Sequence, residues 1–96
     1  MSVTFRLAAR RDVLAARRWY DAQAPGLGAV FATTVQDAVE RLTQFPESAP
    51  IVAGKNRRIL LGKFPYALYY QVEGRAISVI ACLHMHRNPD LARRLT

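Results

Sequence analysis

The sequence has little cysteine and no long hydrophobic run, and each shortage excludes a class of protein. A single cysteine, Cys82, cannot form an intramolecular disulfide, so we expect a protein of the reducing cytoplasm and not a disulfide-stabilised secreted domain. The longest apolar stretch, residues 76–83, is much shorter than the roughly 18–20 residues that span a membrane. Residues 1–11 lack the pattern of a secretory signal. The sequence therefore predicts neither membrane insertion nor export.

Positive charge is what the sequence has in excess. The 96 residues carry 14 Lys and Arg against 7 Asp and Glu, a net charge of +7, and 12 of the 14 cations are arginine. Because the guanidinium group can bind carboxylates and phosphates through two parallel hydrogen bonds, this bias predicts an acidic partner, either nucleic acid or an acidic protein surface. A hydrophobic content of 51% is typical of a folded protein, and the length suits one domain over residues 1–96.

The first half of the chain predicts a short strand followed by two helices. Residues 3–7 alternate apolar and polar side chains, which indicates a strand. Over residues 9–24 the apolar side chains repeat at helical spacing, and the opposite side of this helix carries Arg10, Arg11, Arg17 and Arg18. A Pro25-Gly26 turn separates it from a second amphipathic helix over residues 27–45, which Pro46 ends. With so short a connection, the two helices should pack as an antiparallel hairpin.

The second half predicts a long loop and then an antiparallel meander of three strands. Residues 46–56 contain two prolines and a glycine without periodicity, so we expect a surface loop, and its length suggests a functional role. Strands are expected at residues 57–61, 67–72 and 76–83. The last of these is apolar on both alternations, which predicts a central strand buried on both faces. A short helical tail over residues 90–95 follows Asn88-Pro89, with Asp90 near its positive end.

Several short strings occur in a fixed order along nearly the whole chain, namely Trp19-Tyr20, Pro25-Gly26-Leu27-Gly28 with Phe31, Phe45-Pro46, Arg57-Arg58-Ile59-Leu60-Leu61, Phe64-Pro65-Tyr66, Leu68-Tyr69-Tyr70 and His84-x-x-Arg87-x-Pro89. Together these strings resemble the RelE/ParE superfamily of bacterial type II toxins. The resemblance implies a compact α+β toxin, with the helical hairpin packed on an antiparallel sheet that ends in the three-strand meander. It also implies a cognate antitoxin, encoded by the neighbouring gene, that forms a hetero-oligomer with the toxin and keeps it inactive.

The superfamily has two main activities, and the residues favour one of them. RelE-like members are similar to ribosome-dependent messenger-RNA endonucleases, whereas ParE-like members inhibit DNA gyrase and are not catalysts. The Pro25-Gly26-Leu27-Gly28 and Phe64-Pro65-Tyr66 strings and the ending at Pro89 resemble the ParE-like branch, which implies growth arrest and plasmid stabilisation through gyrase. The chain departs from that branch at one place, because His86-Arg87-Asn88-Pro89 stands where those relatives usually have two consecutive basic residues and then Asp-Pro.

Two alternatives remain open at this point. An RNA-cleaving site needs a general base, a general acid and cations for the phosphate, and the candidate catalytic residues for it are Arg58, His84 and Arg87. The lysines and the late aromatic residue typical of RelE-like nucleases are missing, since only Lys55 and Lys63 flank the first meander strand and nothing aromatic follows Tyr70. The second alternative is a basic nucleic-acid-binding module without catalysis, which explains the charge but not the matching strings.

We expect the target-binding surface at the end of the last meander strand, where a cation is held by rigid structure. Arg87 is the principal candidate. Arg58 is expected either to converge with it from the start of the first meander strand or to form a salt bridge inside the fold. The complete candidate set is Arg58, His84, His86, Arg87, Arg93 and Arg94.

The other notable side chains have structural interpretations. His84 and His86 would share one face of a strand, but no third ligand stands at a suitable spacing, so we expect no metal and no cofactor. Cys82 is expected to be a small buried hydrophobic residue, and the arginines of the first helix a solvated face. Tyr66, Tyr69 and Tyr70 are expected in the core and at its rim, with stacking on nucleic-acid bases as the alternative. Trp19 and Tyr20 are expected to pack between helix and sheet.

Overall fold

The structure, a computed structural model, describes residues 1–87 and 91–95. Its elements in chain order are β1 (Ser2–Phe5), α1 (Leu7–Gln23), α2 (Leu27–Gln44), β2 (Ile51–Ala53), β3 (Asn56–Leu60), β4 (Tyr66–Glu73), β5 (Ala76–His84) and α3 (Leu91–Arg94). The strands form one sheet in the order β1-β5-β4-β3-β2, and α1 and α2 pack on one of its faces. This arrangement confirms the predicted α+β fold class.

The sheet is mixed, because β1 runs parallel to β5 while all other neighbouring strands are antiparallel. The predicted meander of β3, β4 and β5 is confirmed, but the expectation of a wholly antiparallel sheet is corrected by β1. The direction of a strand of four residues is decided by the elements that follow it, and its own side-chain pattern does not encode that direction. The middle strand is β4, whereas β5 lies between β1 and β4.

A β-bulge explains why β5 is apolar on both alternations. Tyr69 of β4 lies opposite Ala81, but its neighbour Tyr70 lies opposite Val79, so Ile80 has no partner of its own. The residues that face the helices are therefore Ile77 and Val79 before the bulge and Cys82 after it. The predicted burial of this strand on both faces is confirmed.

The helical hairpin is confirmed, and an aspartate of α1 completes its turn. Gly26 adopts a left-handed conformation with φ of 89°, which glycine tolerates at little cost. The Asp21 carboxylate of α1 accepts hydrogen bonds from the backbone N–H of Gly26 at 3.0 Å and of Gly28 at 3.2 Å. It thereby satisfies N–H groups at the start of α2 that have no partner within that helix. The two helices are close here, since a Cβ atom on Gly28 would lie 2.6 Å from the Arg17 carbonyl oxygen.

The predicted loop over residues 46–56 contains part of the sheet, which corrects the expectation of an irregular segment. Residues 51–53 form the edge strand β2, and Asn56 already belongs to β3. A strand of three residues is too short to show a period in the sequence. The preceding residues are fixed by side chains of the sheet, because the Tyr70 hydroxyl donates to the Pro46 carbonyl at 2.9 Å and Arg57 donates to the carbonyls of Glu47 at 3.0 Å and Ala49 at 2.8 Å.

The second face of the sheet is covered by the C-terminal segment. Leu91 and Leu95 pack against a small cluster formed by Ala67, Tyr69, Ala81 and Leu83. The buried Asn56 fixes this segment, because its side-chain amide donates to the Leu95 carbonyl at 2.7 Å. The predicted helical tail is confirmed in α3, while Asn88-Pro89 and Asp90 lie outside the described residues.

The expectations for most structural side chains are confirmed. Cys82, Tyr69 and Tyr70 are buried, and Tyr20 packs between helix and sheet. The arginines of α1 are exposed, namely Arg10, Arg11, Arg17 and Arg18. No helix within residues 1–87 and 91–95 has the length and apolar character needed to cross a membrane.

Candidate functional site

The end of β5 carries three of the predicted target-binding residues in a fixed arrangement. His84 is the last residue of β5, and its Nδ1 atom accepts a hydrogen bond from the backbone N–H of His86 at 3.1 Å. Between them, the Met85 backbone N–H donates to the Pro65 carbonyl at 2.8 Å, which ties this segment to the connection between β3 and β4. Arg87 follows directly and is exposed. The sheet therefore presents these side chains from a constrained backbone.

Two of these residues, His84 and Arg87, border a groove between α1 and the end of β5, which we call the strand-end groove. It encloses about 370 Å³, and its lining residues are Trp19, Tyr20, Pro65, Tyr66, His84 and Arg87. Its aromatic rings lie in series: Trp19 contacts Tyr20 edge to face at 5.0 Å between ring centroids, Tyr20 lies 6.0 Å from Tyr66, and Tyr66 lies 5.2 Å from His84. Trp19 keeps 52% of its surface exposed. It is also absent from the cluster packed between the helices and the sheet, so the expectation that Trp19 packs there is wrong.

The groove is electrically neutral at pH 7 apart from its arginine. Burial raises the pKa of Tyr20 and of Tyr66, so both phenols stay protonated. Burial, the charge of Arg87 and the neighbouring His86 lower the pKa of His84, whose ring is then uncharged. With Nδ1 accepting the backbone hydrogen bond, the ring proton of the neutral imidazole is on Nε2. Arg87 is therefore the lining residue that carries a permanent charge.

A carboxylate beside the groove joins three elements of the fold. Asp12 of α1 accepts two hydrogen bonds from the Arg94 guanidinium, at 2.7 and 3.3 Å, and one from the backbone N–H of Cys82 at 3.0 Å. The side chains of this pair are only 29% and 16% exposed, for Arg94 and Asp12 respectively. Burial and the Asp12 charge raise the pKa of the Cys82 thiol to about 12, so the thiol is not a nucleophile near neutral pH. This cluster holds α1, β5 and α3 together.

Arg58 does not converge with the residues at the end of β5, which corrects the expectation from the sequence. It lies opposite Tyr69 in the sheet, and Tyr69 lies opposite Ala81, three residues before His84. It also points to the face covered by α3, whereas His84 lies opposite Tyr66 on the face covered by the helices. Because β3 and β5 are both antiparallel to β4, they run in the same direction, so the start of β3 and the end of β5 are at opposite ends of the sheet. Arg58 forms no ion pair with any of the described residues.

The two arginines of α3 have different surroundings from Arg87. Arg94 is committed to Asp12, while Arg93 is exposed on the same short helix. The target-binding role of both, like that of His84, His86 and Arg87, stays a prediction. Across residues 1–87 and 91–95, no group of three or more His, Cys, Asp or Glu side chains is arranged to hold a metal ion.

Sequence analysis missed the contribution of α1 to this region. Asp12 lies three residues after Ala9 and four before Ala16, so the helical spacing puts a carboxylate beside the buried stripe. A charged side chain next to a buried stripe normally has a partner of opposite charge, and this rule could have identified Asp12 from the sequence. Trp19 follows Asp12 by seven residues and therefore occupies the same side of α1.

Comparison with known proteins identifies the family. Residues 3–89 match the family described as the ParE toxin of the type II toxin-antitoxin system, parDE. The chain belongs to the ParE toxin family. It is therefore the toxin of a type II toxin-antitoxin system, and the resemblance to the ParE-like branch of the RelE/ParE superfamily is confirmed.

A solved structure has a similar fold. The chain is similar to a structure titled the chromosomal ParDE TA system from P. aeruginosa, with a TM-score of 0.67 and 20% sequence identity. The match covers 90% of this chain and 97% of that one, so the two chains share nearly the whole fold. No curated protein sequence matches the chain.

Proposed function

We propose that this ParE toxin inhibits DNA gyrase by binding, without catalysis, and that an antitoxin encoded by the neighbouring gene keeps it inactive. The observation that carries the proposal is the match to the ParE toxin family over residues 3–89. The ParDE system to which the fold is similar supports the antitoxin as a partner, so the inactive form is a hetero-oligomer of toxin and antitoxin. The reducing cytoplasm, where gyrase acts, is the compartment that fits this function and the single free cysteine.

The chemistry beside Arg87 supports binding over RNA cleavage. A general base needs a free acceptor, but His84 Nδ1 already accepts the His86 backbone hydrogen bond. The Asp12 carboxylate is occupied by Arg94 and by the Cys82 backbone N–H. Exposed cations at a strand end can recognise an acidic or nucleic-acid-bound surface without any proton transfer. We therefore assign target binding to Arg87 first, with His84 and His86 next to it in the chain, and we keep Arg93 of α3 as a further candidate.

Charge and an open sheet edge support the antitoxin as an acidic partner. All three residues of the edge strand β2 are exposed, and Ile51 exposes 57% of its surface. An unpaired strand edge can accept a further strand from another chain. A partly disordered acidic segment could order itself there and be attracted by the net charge of +7. Co-expression with the neighbouring gene product should yield a co-purifying complex, and separate elution of the two proteins would contradict this part of the proposal.

The gyrase assignment is tested with purified toxin in a DNA supercoiling assay. We expect inhibition of supercoiling, and we expect Arg87→Ala to abolish it while the free energy of unfolding stays within about 0.5 kcal/mol, as for most exposed substitutions. Arg75→Ala is the matched control, because Arg75 is equally exposed but lies on the turn before β5, at the opposite end of that strand. Full inhibition by the Arg87→Ala variant would remove this residue from the target site. Cleavage of messenger RNA in a purified translation system, with gyrase unaffected, would replace the proposal by the nuclease alternative.

A further inference from the structure

We propose that the strand-end groove is a binding site for an unpaired nucleotide of a single-stranded nucleic acid, with the base against Trp19 and the phosphate at Arg87. This inference goes beyond gyrase inhibition and does not depend on it. The toxin can inhibit gyrase without binding a free strand, and it can bind a free strand without acting on gyrase.

The first argument is the exposure of the aromatic surface. Trp19 is the one tryptophan of the chain, and 52% of its surface is exposed although burial of this side chain would stabilise the fold. Its ring lies nearly perpendicular to Tyr20, with 86° between the ring planes, so the neighbouring phenol supports the indole by an edge contact. Such a half-exposed ring on a rigid helix can stack on any base, because every base has a π-face.

The second argument is the distribution of charge around the groove. Arg87 is exposed at the end of β5, and the guanidinium group suits a phosphate. Among the described residues, the carboxylate beside the groove is that of Asp12, and its charge is compensated by Arg94 at 2.7 Å. Within residues 1–87 and 91–95, a phosphate approaching Arg87 therefore meets a carboxylate whose charge is already compensated.

The third argument concerns what else could fit. An acidic peptide would need several cations in the groove, whereas the lining contains a single arginine and four aromatic or imidazole rings, from Trp19, Tyr20, Tyr66 and His84. The neutral His84 adds an Nε2–H donor, which suits the carbonyl oxygen of a base. In duplex DNA the base faces are stacked on each other and cannot reach the indole. The groove therefore fits one unpaired nucleotide.

The binding test uses the full chain and the fluorescence of Trp19, which reports on the site without a label. An oligothymidylate or an oligouridylate of about 12 nucleotides, a length that a small single-strand-binding domain can cover, is titrated into the protein. We expect saturable quenching of the indole emission, with binding of either strand supporting the site. The absence of quenching and of binding for both strands would overturn the proposal.

Substitutions then separate the contribution of base stacking to binding from that of general charge attraction. The affinity of each variant is measured by the fluorescence anisotropy of a labelled strand. Trp19→Ala should weaken binding about tenfold or more, and Trp19→Phe should restore most of the loss. Phe45→Ala is the matched control, since Phe45 is also exposed, at 61%, but lies outside the groove. Arg87→Ala should weaken binding about tenfold, and Arg75→Ala much less.

Two results would overturn the proposal even if the strand binds. One is that wild type and Trp19→Ala bind the strand with equal affinity while circular dichroism shows both proteins to be folded, because binding would then depend on charge alone. The other is equal competition by a duplex of the same length, because the site would then not require an unpaired base. Loss of supercoiling inhibition plays no part in either measurement, so failure of this proposal and failure of the gyrase proposal are distinguishable.

Discussion

Replacing Asp12 by alanine tests whether one carboxylate holds the helical layer, the sheet and the C-terminal helix together. The substitution leaves the Cys82 backbone N–H, in a residue that is 2% exposed, without its acceptor, which costs about 1–3 kcal/mol. It also removes the ion pair between Asp12 and Arg94, and a largely shielded pair of this geometry contributes about 1 kcal/mol. We therefore expect Asp12→Ala to lower the free energy of unfolding by about 2–4 kcal/mol, a large fraction of the stability of a small domain.

The assay is urea denaturation of the purified toxin, followed by circular dichroism. Asp37→Ala is the control, because Asp37 is an exposed aspartate of α2, and it should change stability by less than about 0.5 kcal/mol. A double-mutant cycle with Arg94→Ala isolates the ion pair, for which we expect a coupling energy of about 1 kcal/mol. A loss below about 0.5 kcal/mol for Asp12→Ala would refute the reasoning, since it would mean that the carboxylate can be removed without leaving any group unpaired.

Three further predictions concern packing, a loop anchor and a buried thiol. Gly28→Ala should destabilise the toxin by about 1–3 kcal/mol in thermal unfolding, because the new Cβ would lie 2.6 Å from the Arg17 carbonyl oxygen, whereas Gly62→Ala meets no atom within 4 Å and should be near neutral. Tyr70→Phe should cost about 1 kcal/mol in urea denaturation through loss of the hydrogen bond to the loop, and an unchanged midpoint would contradict that role. Burial raises the pKa of the Cys82 thiol from 9.0 to about 12, so on raising the pH the thiol ionises in the unfolded protein before it ionises in the folded one. Between these pH values the free energy of unfolding should therefore fall by about 1.4 kcal/mol per pH unit relative to that of Cys82→Ala. Parallel pH profiles of the two proteins would show that the thiol is not shielded.

The parts of the fold that were predicted from the sequence are those with repeated local signals. α2 has apolar residues at helical spacing over 18 residues, and the strongest of them, from Phe31 to Leu42, are buried. The turn between the helices was predicted from its residues, and Gly26 has a positive φ at that position. β2 was missed because three residues give no period, and the parallel direction of β1 was missed because it is set by sheet assembly.

The composition of the site was harder to predict than its location. Arg87 and the histidines were assigned to a strand end, which requires only the end of β5 to be known. Arg58 was assigned to the same place, and this failed because convergence depends on the order and faces of the strands. Trp19 and Asp12 belong to the same region although they are distant in sequence from β5, and only the packing of α1 against that strand brings them there.

Because Asp12 pairs with Arg94, the substitutions Arg87→Ala and Arg94→Ala should differ in their effect on stability. Arg87 and Arg94 are both candidates for target binding, but Arg94 is paired with a largely buried carboxylate while Arg87 is exposed. Arg94→Ala should therefore lower the midpoint of thermal unfolding, by about 4–8 °C for each kcal/mol that the pair contributes, and Arg87→Ala should leave it within a few degrees. Arg94→Ala can lose toxicity simply because less of the protein is folded. A direct contact between Arg94 and the target can be concluded only if the activity loss persists at a temperature where the variant is fully folded. Loss of toxicity in Arg87→Ala has no such structural explanation, and a midpoint lowered as far as that of Arg94→Ala would refute the separation between a structural arginine and a recognition arginine.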